Sequence, residues 1–258
     1  MDKTQRQLIK TYFRKRKIAA NHEEMDDYAE YTGYELDFGI RNNIINPNDI
    51  EPYHIIKALE TNSKLIDYFK DRLDELDGGS ISDLLSSQPQ FINFFMDKLD
   101  ELNRWNISVL LSSQPQLITY FKDRLDELNE NNITQILTKQ PQIITYFKDR
   151  LDELNGNYIT QILTKQPQLI NYFKNRLSDL DGWSISNILM HQPQLINYFK
   201  NRLSDLDGWS ISNILMHQPQ IITYFKNELN KLNGDDVGVI LKKQPQLKPY
   251  FENIKSNG

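Results

Sequence analysis

The side chains that could carry chemistry in this chain do not assemble into a catalytic pattern. His191 and His217 lie 26 residues apart in matching sequence surroundings, and paired imidazoles can ligate a metal, but no carboxylate or third histidine recurs with them. A second cluster has the residue types of a metal site, yet consecutive residues point around a helix, so we expect a charged exposed face there. It consists of His22, Glu23, Glu24, Asp26 and Asp27.

Motifs for nucleophilic or phosphate chemistry do not occur in the sequence. There is no Gly-rich phosphate loop and no serine-centred strand-to-helix elbow, and the repeated Asp and Glu residues are explained by the solubility of helices. We therefore expect a protein that is not an enzyme and that has no cofactor and no metal.

Composition narrows the class of protein further. The 258 residues include 30 basic and 35 acidic side chains, a net charge of −5 that favours solubility and gives no general attraction to nucleic acid. Cysteine is absent, which excludes disulfides and thiolate metal sites. No apolar stretch approaches the roughly 18 residues of a membrane span, and the first residues do not resemble a signal peptide. We expect a soluble intracellular protein without a membrane partner.

An internal repeat determines the helices on which any binding residue must lie. The tripeptide Gln-Pro-Gln occurs seven times at a period of 26 residues, beginning at Gln88, Gln114, Gln140, Gln166, Gln192, Gln218 and Gln244. Such a period is typical of arrays in which each unit packs against its neighbours. It predicts an N-terminal helical cap over residues 1–50 and eight repeats over 51–258, with bounds 51–76, 77–102, 103–128, 129–154, 155–180, 181–206, 207–232 and 233–258.

Each repeat predicts two helices. In residues 103–128 the spacing of Ile107, Leu110 and Leu111 is that of a short amphipathic helix, which we name helix A. Pro115 is favourable only at the first position of a new helix. From there an apolar stripe predicts a longer helix B; it comprises Leu117, Ile118, Phe121, Leu125 and Leu128.

The junction from helix B to the next helix A also has a predicted form. Asp-Gly or Asn-Gly pairs indicate a left-handed glycine that closes helix B. N-caps of the following helix A are predicted at Ser80, Asn106, Asn132, Ser184, Ser210 and Asp236. Together these signals predict an all-α fold, a right-handed α-α superhelix (α-solenoid) of helix-turn-helix repeats.

The repeats differ most at the end of helix A, and we name these positions the variable strip. A fixed scaffold with a variable strip commonly marks the recognition face of a repeat protein, although free drift of exposed positions after recent duplication is an equal alternative. The strip comprises Ser86, Ser87, Ser112, Ser113, Thr138, Lys139, Thr164, Lys165, Met190, His191, Met216, His217, Lys242 and Lys243, with Asp83, Val109, Gln135, Gln161, Asn187, Asn213 and Val239 one turn earlier.

Three tryptophans fall in the turn from helix B to helix A. Trp105, Trp183 and Trp209 could cover the seam between repeats or anchor a partner, and we favour the seam.

The run Ile-x-x-Ile-Leu-x-x-Gln-Pro-Gln-Leu-Ile, as at residues 185–196, resembles the helical repeats of mitochondrial transcription termination factors. The two variable residues between helices are similar to those of TAL-effector repeats. Both families bind nucleic acid, which is what either resemblance implies. The likeness covers about a dozen residues per repeat, and this chain departs from both families in its shorter period and acidic array.

We expect a scaffold that binds another, unidentified protein through the variable strip and the tryptophans. The alternative is a nucleic-acid binder, which the net charge disfavours. It would use Lys139, Lys165, Lys242 and Lys243 together with an N-terminal basic run of Lys10, Arg14, Lys15, Arg16 and Lys17. A third possibility is a structural component of a larger assembly.

Overall fold

A computed structural model describes residues 33–252, and in that range the chain is all-α without any β-strand. The chain divides into two compact bodies, Met1–Arg124 and Leu125–Gly258. The predicted metal-like cluster at residues 22–27 and the basic run at residues 10–17 lie outside the described residues.

In the described part of the N-terminal body, residues 33–124, four α-helices are nine or ten residues long. These are α1 (Gly33–Arg41), α2 (Pro52–Thr61), α3 (Gly78–Ser87) and α4 (Arg104–Ser113), and each packs against the next in chain order. Between them run 3-10 helices and one α-turn: Pro47–Asp49, Ser63–Leu65, Ile66–Phe69 (the α-turn), Lys70–Glu75, Pro89–Phe94, Met96–Glu101 and Pro115–Tyr120. A further 3-10 helix, Lys122–Glu127, contains the boundary between the bodies.

In the C-terminal body, described as far as residue 252, five α-helices are ten residues long and again pack in chain order. They are α5 (Glu130–Lys139), α6 (Gly156–Lys165), α7 (Gly182–His191), α8 (Gly208–His217) and α9 (Gly234–Lys243). The intervening 3-10 helices are Pro141–Glu153, Pro167–Asp179, Pro193–Leu195, Lys200–Asp205, Pro219–Phe225, Leu229–Lys231 and Pro245–Leu247, with α-turns at Ile196–Phe199 and Lys248–Glu252.

Helix A forms where the sequence predicts it, as α2 to α9. Its apolar stripe is buried: Ile107, Leu110 and Leu111 of α4 have no exposed surface, and neither have Ile185, Ile188 and Leu189 of α7. Proline ends α3 to α9 because the glutamine before it cannot remain α-helical, whereas α2 ends at Asn62 without a proline. Gln192, for example, has φ −132° and ψ 66°.

Helix B is not the α-helix that the apolar stripe predicts. In repeat 103–128 it begins as the 3-10 helix Pro115–Tyr120, and Phe121 (φ −114°, ψ 12°) separates this from a second 3-10 helix. The reason lies in the spacing of the buried residues. Ile118 and Phe121 are three apart and so are Leu125 and Leu128, and residues three apart share one face of a 3-10 helix. The single four-residue step, from Phe121 to Leu125, falls at the break between the two 3-10 helices.

The junctions also differ from prediction. Within the described residues no glycine has positive φ, and the glycine after Asp or Asn is instead the first residue of helix A. Glycine occurs there for close approach: a Cβ on Gly182 would lie 2.9 Å from the carbonyl oxygen of Asp205. The prediction that a left-handed glycine closes helix B is therefore wrong.

The predicted N-caps lie three residues too late. The caps are Asp77, Asn103, Asn129, Asn155, Asp181, Asp207 and Asn233, whose side chains accept hydrogen bonds from backbone N–H groups of the first turn. Asn106, Asn132 and Asp236 complete the reciprocal half of a capping box. The cap was misplaced because both positions carry cap-forming residue types.

Basic side chains tether consecutive repeats through the stretches predicted as helix B, which we name the B segments. Arg202 donates to the carbonyl oxygens of Leu177 and Leu180 at 2.6 and 2.7 Å, and Asp205 pairs with the same guanidinium. Similar bonds to carbonyls of the preceding segment are made by Arg72, Lys98, Arg124, Arg150, Arg176 and Lys231. Of the two carbonyls that Arg202 contacts, that of Leu177 also accepts the backbone N–H of Leu180, and that of Leu180 belongs to the residue that ends the segment.

Candidate interaction surface

The Gln-Pro-Gln motif fixes the end of helix A, where the variable strip lies. Its first glutamine donates a hydrogen bond from Nε2 to a backbone carbonyl 28 residues earlier, as from Gln218 to Met190 at 2.5 Å. Its second glutamine donates to the Oε1 of the first, as from Gln220 to Gln218 at 2.8 Å. The first of these bonds is repeated by Gln88, Gln114, Gln166, Gln192 and Gln244 at 2.5–2.9 Å.

This ladder gives the invariant tripeptide a structural role that the sequence analysis did not assign. The accepting carbonyls belong to residues of the variable strip, or to Glu60 in the first repeat. Because only the backbone of the strip is used, its side chains are free to differ between repeats. The recurring glutamine was the available signal, but its partner could not be identified without coordinates.

The structure divides the strip by exposure. The last residue of each helix A is exposed in both bodies: Ser87, Ser113, Lys139, Lys165, His191, His217 and Lys243. The residue before it is half-buried at Ser86, Thr138, Thr164, Met190 and Met216, and exposed at Lys242. One turn earlier, Asp83, Gln161 and Val239 are exposed, whereas Val109, Gln135, Asn187 and Asn213 are half-buried.

Ser112 is the one predicted contact residue that is buried. It is 4% exposed, whereas Ser86 at the equivalent position of α3 is half-buried. The strip is therefore narrower at this repeat than the sequence pattern predicts.

The tryptophans lie at the surface, in the first turn of helix A. Trp105, Trp183 and Trp209 are 58%, 54% and 59% exposed. Each is the second residue of its helix A rather than part of a preceding turn, since the helix begins right after the Asn or Asp cap. More than half of each tryptophan is accessible to a partner, and the seam and the partner anchor both stay predictions.

Two neighbouring helices present the same exposed face. On α7 this face comprises Trp183, Asn187, Met190 and His191, and on α8 it comprises Trp209, Asn213, Met216 and His217. We name the two together the paired Trp face. The helices pack against each other, so that the two sets of side chains lie side by side.

Hydrogen bonds order the C-terminal half of the paired Trp face. The Nδ1 atoms of His191 and His217 lie 2.9 and 2.8 Å from the carbonyl oxygens of Asn187 and Asn213. As donors in these bonds, the rings direct Nε2 outward, and that of His217 lies 3.4 Å from Nζ of Lys243. The imidazoles are thus held at the helix ends, and Nε2 of His217 accepts a hydrogen bond from Lys243.

The B segments carry a second aromatic row at the edge of the core. Tyr198 and Tyr224 are 40% and 38% exposed, and Tyr198 donates its hydroxyl hydrogen to Oδ1 of Asn171 at 3.3 Å. Lys200 lies over the ring of Tyr224, 5.4 Å from its centroid. These rings combine an apolar body with a solvated polar end.

Among residues 33–252, no three His, Asp or Glu side chains come together as a group that could hold a metal ion. In the same part of the chain, no helix has the length and apolar character needed to cross a bilayer.

No protein-family model, no curated protein and no solved structure matches this chain. The all-helical packing is compatible with a helical repeat protein, and the resemblance to mitochondrial transcription termination factor repeats stays a prediction.

Proposed function

We propose that this protein is a non-enzymatic scaffold that binds another protein through the variable strip and the exposed tryptophans. We further propose that its eight repeats stack as a right-handed α-solenoid with residues 1–50 as the cap. Support for stacking comes from the glutamine and arginine tethers, which recur between consecutive repeats within each body.

The observation that carries the function is the exposure of Trp183 and Trp209 on adjacent, identical helix faces. Tryptophan is enriched among the residues that dominate protein–protein binding energy. Burying an indole ring on folding would stabilise the chain by about 2–3 kcal/mol, yet both rings remain in solvent. A paired apolar feature of this kind is typical of an interaction site.

The test is affinity capture with matched variants. Immobilised wild-type protein is exposed to an extract of its source, next to W183A/W209A and the control Y198A/Y224A. The control removes two exposed aromatic rings from the B segments of the same pair of repeats. We expect bound proteins to be lost from the tryptophan variant and kept by the tyrosine variant. Equal capture by all three proteins would contradict the proposed surface.

A further inference from the structure

Every helix A of the C-terminal body ends in a basic side chain. We name these residues the basic row: Lys139, Lys165, His191, His217 and Lys243. All five are exposed, and among the described residues none takes part in an ion pair. Lys242 adds a further exposed cation beside Lys243. The lysines of the row are thus uncompensated positive charges on a chain whose net charge, with histidine counted as neutral, is −5, and the two histidines between them contribute hydrogen-bonding rings.

Acidic residues of these helices lie at the opposite end. Glu130, Asp235 and Asp236 occupy first turns, and no last turn contains an acid. A ten-residue helix places its two ends about 14 Å apart at 1.5 Å per residue, which exceeds the screening length of about 8–10 Å at ordinary ionic strength. The basic row therefore keeps its charge with respect to a ligand.

The helices do not require these cations in order to form. A basic residue in the last turn favours a helix by about 0.3–1 kcal/mol through the helix dipole. However, α3 and α4 of the N-terminal body end in Ser87 and Ser113 and have no basic residue in the last turn. Because those helices are equally long, the charge of the row is a property of the surface of the C-terminal body.

The spacing of the row indicates the shape of its ligand. Helices in contact lie about 8–10 Å apart, so Lys139 and Lys165 on neighbouring helices are about one such step apart, and Lys243 lies three helices beyond Lys165. An extended peptide advances about 3.3 Å per residue, so about three of its residues cover one step. A nucleic-acid duplex carries a phosphate charge every 3.4 Å or so along each strand, more than the row could pair.

Apolar surface accompanies the charge at the middle of the row. Met190 and Met216 precede the two histidines and are half-buried, and Trp183 and Trp209 are exposed on the same helices. Methionine adapts its shape to varied apolar partners. A ligand that crosses α7 and α8 therefore meets imidazole rings and apolar groups between the lysines.

We infer that the basic row binds an extended acidic segment of a partner protein, in which carboxylates spaced along the segment pair with Lys139, Lys165 and Lys243 and apolar side chains contact Met190 and Met216. This inference rests on the proposed function and specifies the chemistry of the partner. The contacts are ion pairs at the rim of the site, so the binding weakens as salt is added.

The test uses fluorescence anisotropy with fluorescein-labelled peptides. The probe is (Glu-Gly-Ser)5, compared with neutral (Gln-Gly-Ser)5 and with an isomer of the probe whose five glutamates are contiguous. Protein variants are K139S/K165S/K243S, which copies the serines of α3 and α4, and the control K148S/K174S/K226S. The control removes three exposed lysines of the B segments and changes the net charge equally. Circular dichroism melting checks that both variants fold.

We expect the probe to bind at ~50 mM salt and the neutral peptide not to bind. Loss of three exposed ion pairs should weaken binding about tenfold in K139S/K165S/K243S, against less than twofold in the control. The contiguous isomer should bind more weakly than the probe. No binding of the probe, equal loss in both variants, or an isomer that binds as well as the probe would overturn the inference.

Two arms separate this inference from its alternatives. If single-stranded dT15 binds more tightly than the probe and loses affinity only in K139S/K165S/K243S, the row is a nucleic-acid site and the inference is wrong. If the acidic probe fails while capture still depends on Trp183 and Trp209, the inference falls and the proposed function stands. If both measurements fail, the proposed function falls as well.

Discussion

Glu228 and Lys231 occur in the reverse order of the basic and acidic residues that tether the other repeats. Lys231 pairs with Glu228 at 3.2 Å and donates to the carbonyl oxygens of Ser204 and Leu206 at 2.5 and 2.9 Å. In the preceding repeat the cation is Arg202 and the acid follows it by three residues. Three residues make one turn of a 3-10 helix, so the exchange keeps a cation on the same face.

The reversed pair allows a double-mutant cycle. K231E removes the tether and places two acids beside carbonyl oxygens, so we expect the free energy of unfolding to fall by about 2–3 kcal/mol. Adding E228R restores the order found in the other repeats and should recover most of that loss. Urea denaturation of the wild type, both single variants and E228R/K231E measures the coupling. Additive single effects would show that the tether does not depend on this pair.

The glutamine ladder predicts unequal effects within one Gln-Pro-Gln motif. Q218A removes the donor to the Met190 carbonyl, and we expect a loss of about 1–2 kcal/mol of stability because that acceptor is left without its partner. Q220A removes only an exposed bond to Gln218 and should cost less than about 0.5 kcal/mol. Thermal and urea unfolding compare the two. A larger effect of Q220A would contradict the ladder.

Close approach at Gly208 predicts a steric effect of a single methyl group. A Cβ there would lie 2.4 Å from the carbonyl oxygen of Lys231, whereas a Cβ on Gly234, the same position of α9, has nothing within 4 Å. We expect G208A to destabilise the protein by about 1–3 kcal/mol. G234A should be neutral or stabilising by up to about 1 kcal/mol, because it restricts the unfolded chain. Equal melting temperatures for both variants would rule out the close contact.

The aspartate caps predict a loss of stability in acid. Hydrogen bonds from the side chain and backbone of Ser184 lower the pKa of Asp181, and those from Ser210 lower the pKa of Asp207. A lowered pKa contributes stability above the ordinary value of 3.8, and this contribution disappears as the pH falls through the lowered value. Unfolding measured from pH 7 to pH 2 should show it.

The matched variant for the caps is D181N/D207N, which copies the asparagine caps of other repeats such as Asn155. Asparagine caps a helix about as well as aspartate, so stability at pH 7 should change by less than about 0.5 kcal/mol per site. Below pH 4 the variant should lose less stability than the wild type. A wild type and variant with parallel pH profiles would contradict the assigned cause.

The sequence predicted helix A and its end because both depend on local rules. Pro193 stops α7, and the stripe of Ile185, Ile188 and Leu189 is buried as expected. The 3-10 form of helix B was missed because its apolar spacing fits an α-helix over short windows. It is distinguished only by the three-residue steps on either side of Phe121.

The candidate surface was predictable as a set of positions but not in its exposure. Variation between repeats located His191 and Lys165, which are exposed, and also Ser112, which is buried. Burial depends on how each side chain leaves its helix. The caps lie three residues earlier than predicted, which places Trp183 in the first turn of α7 and not in the preceding turn.

We propose that the paired Trp face is the site of partner binding. Its most direct test places the photo-crosslinking residue p-benzoylphenylalanine at position 183 or 209, and at position 198 or 224 as the control, before irradiation in an extract of the source. We expect the same protein to be cross-linked from positions 183 and 209 and not from 198 or 224. Cross-links only from the control positions, or from none of the four, would contradict the claim.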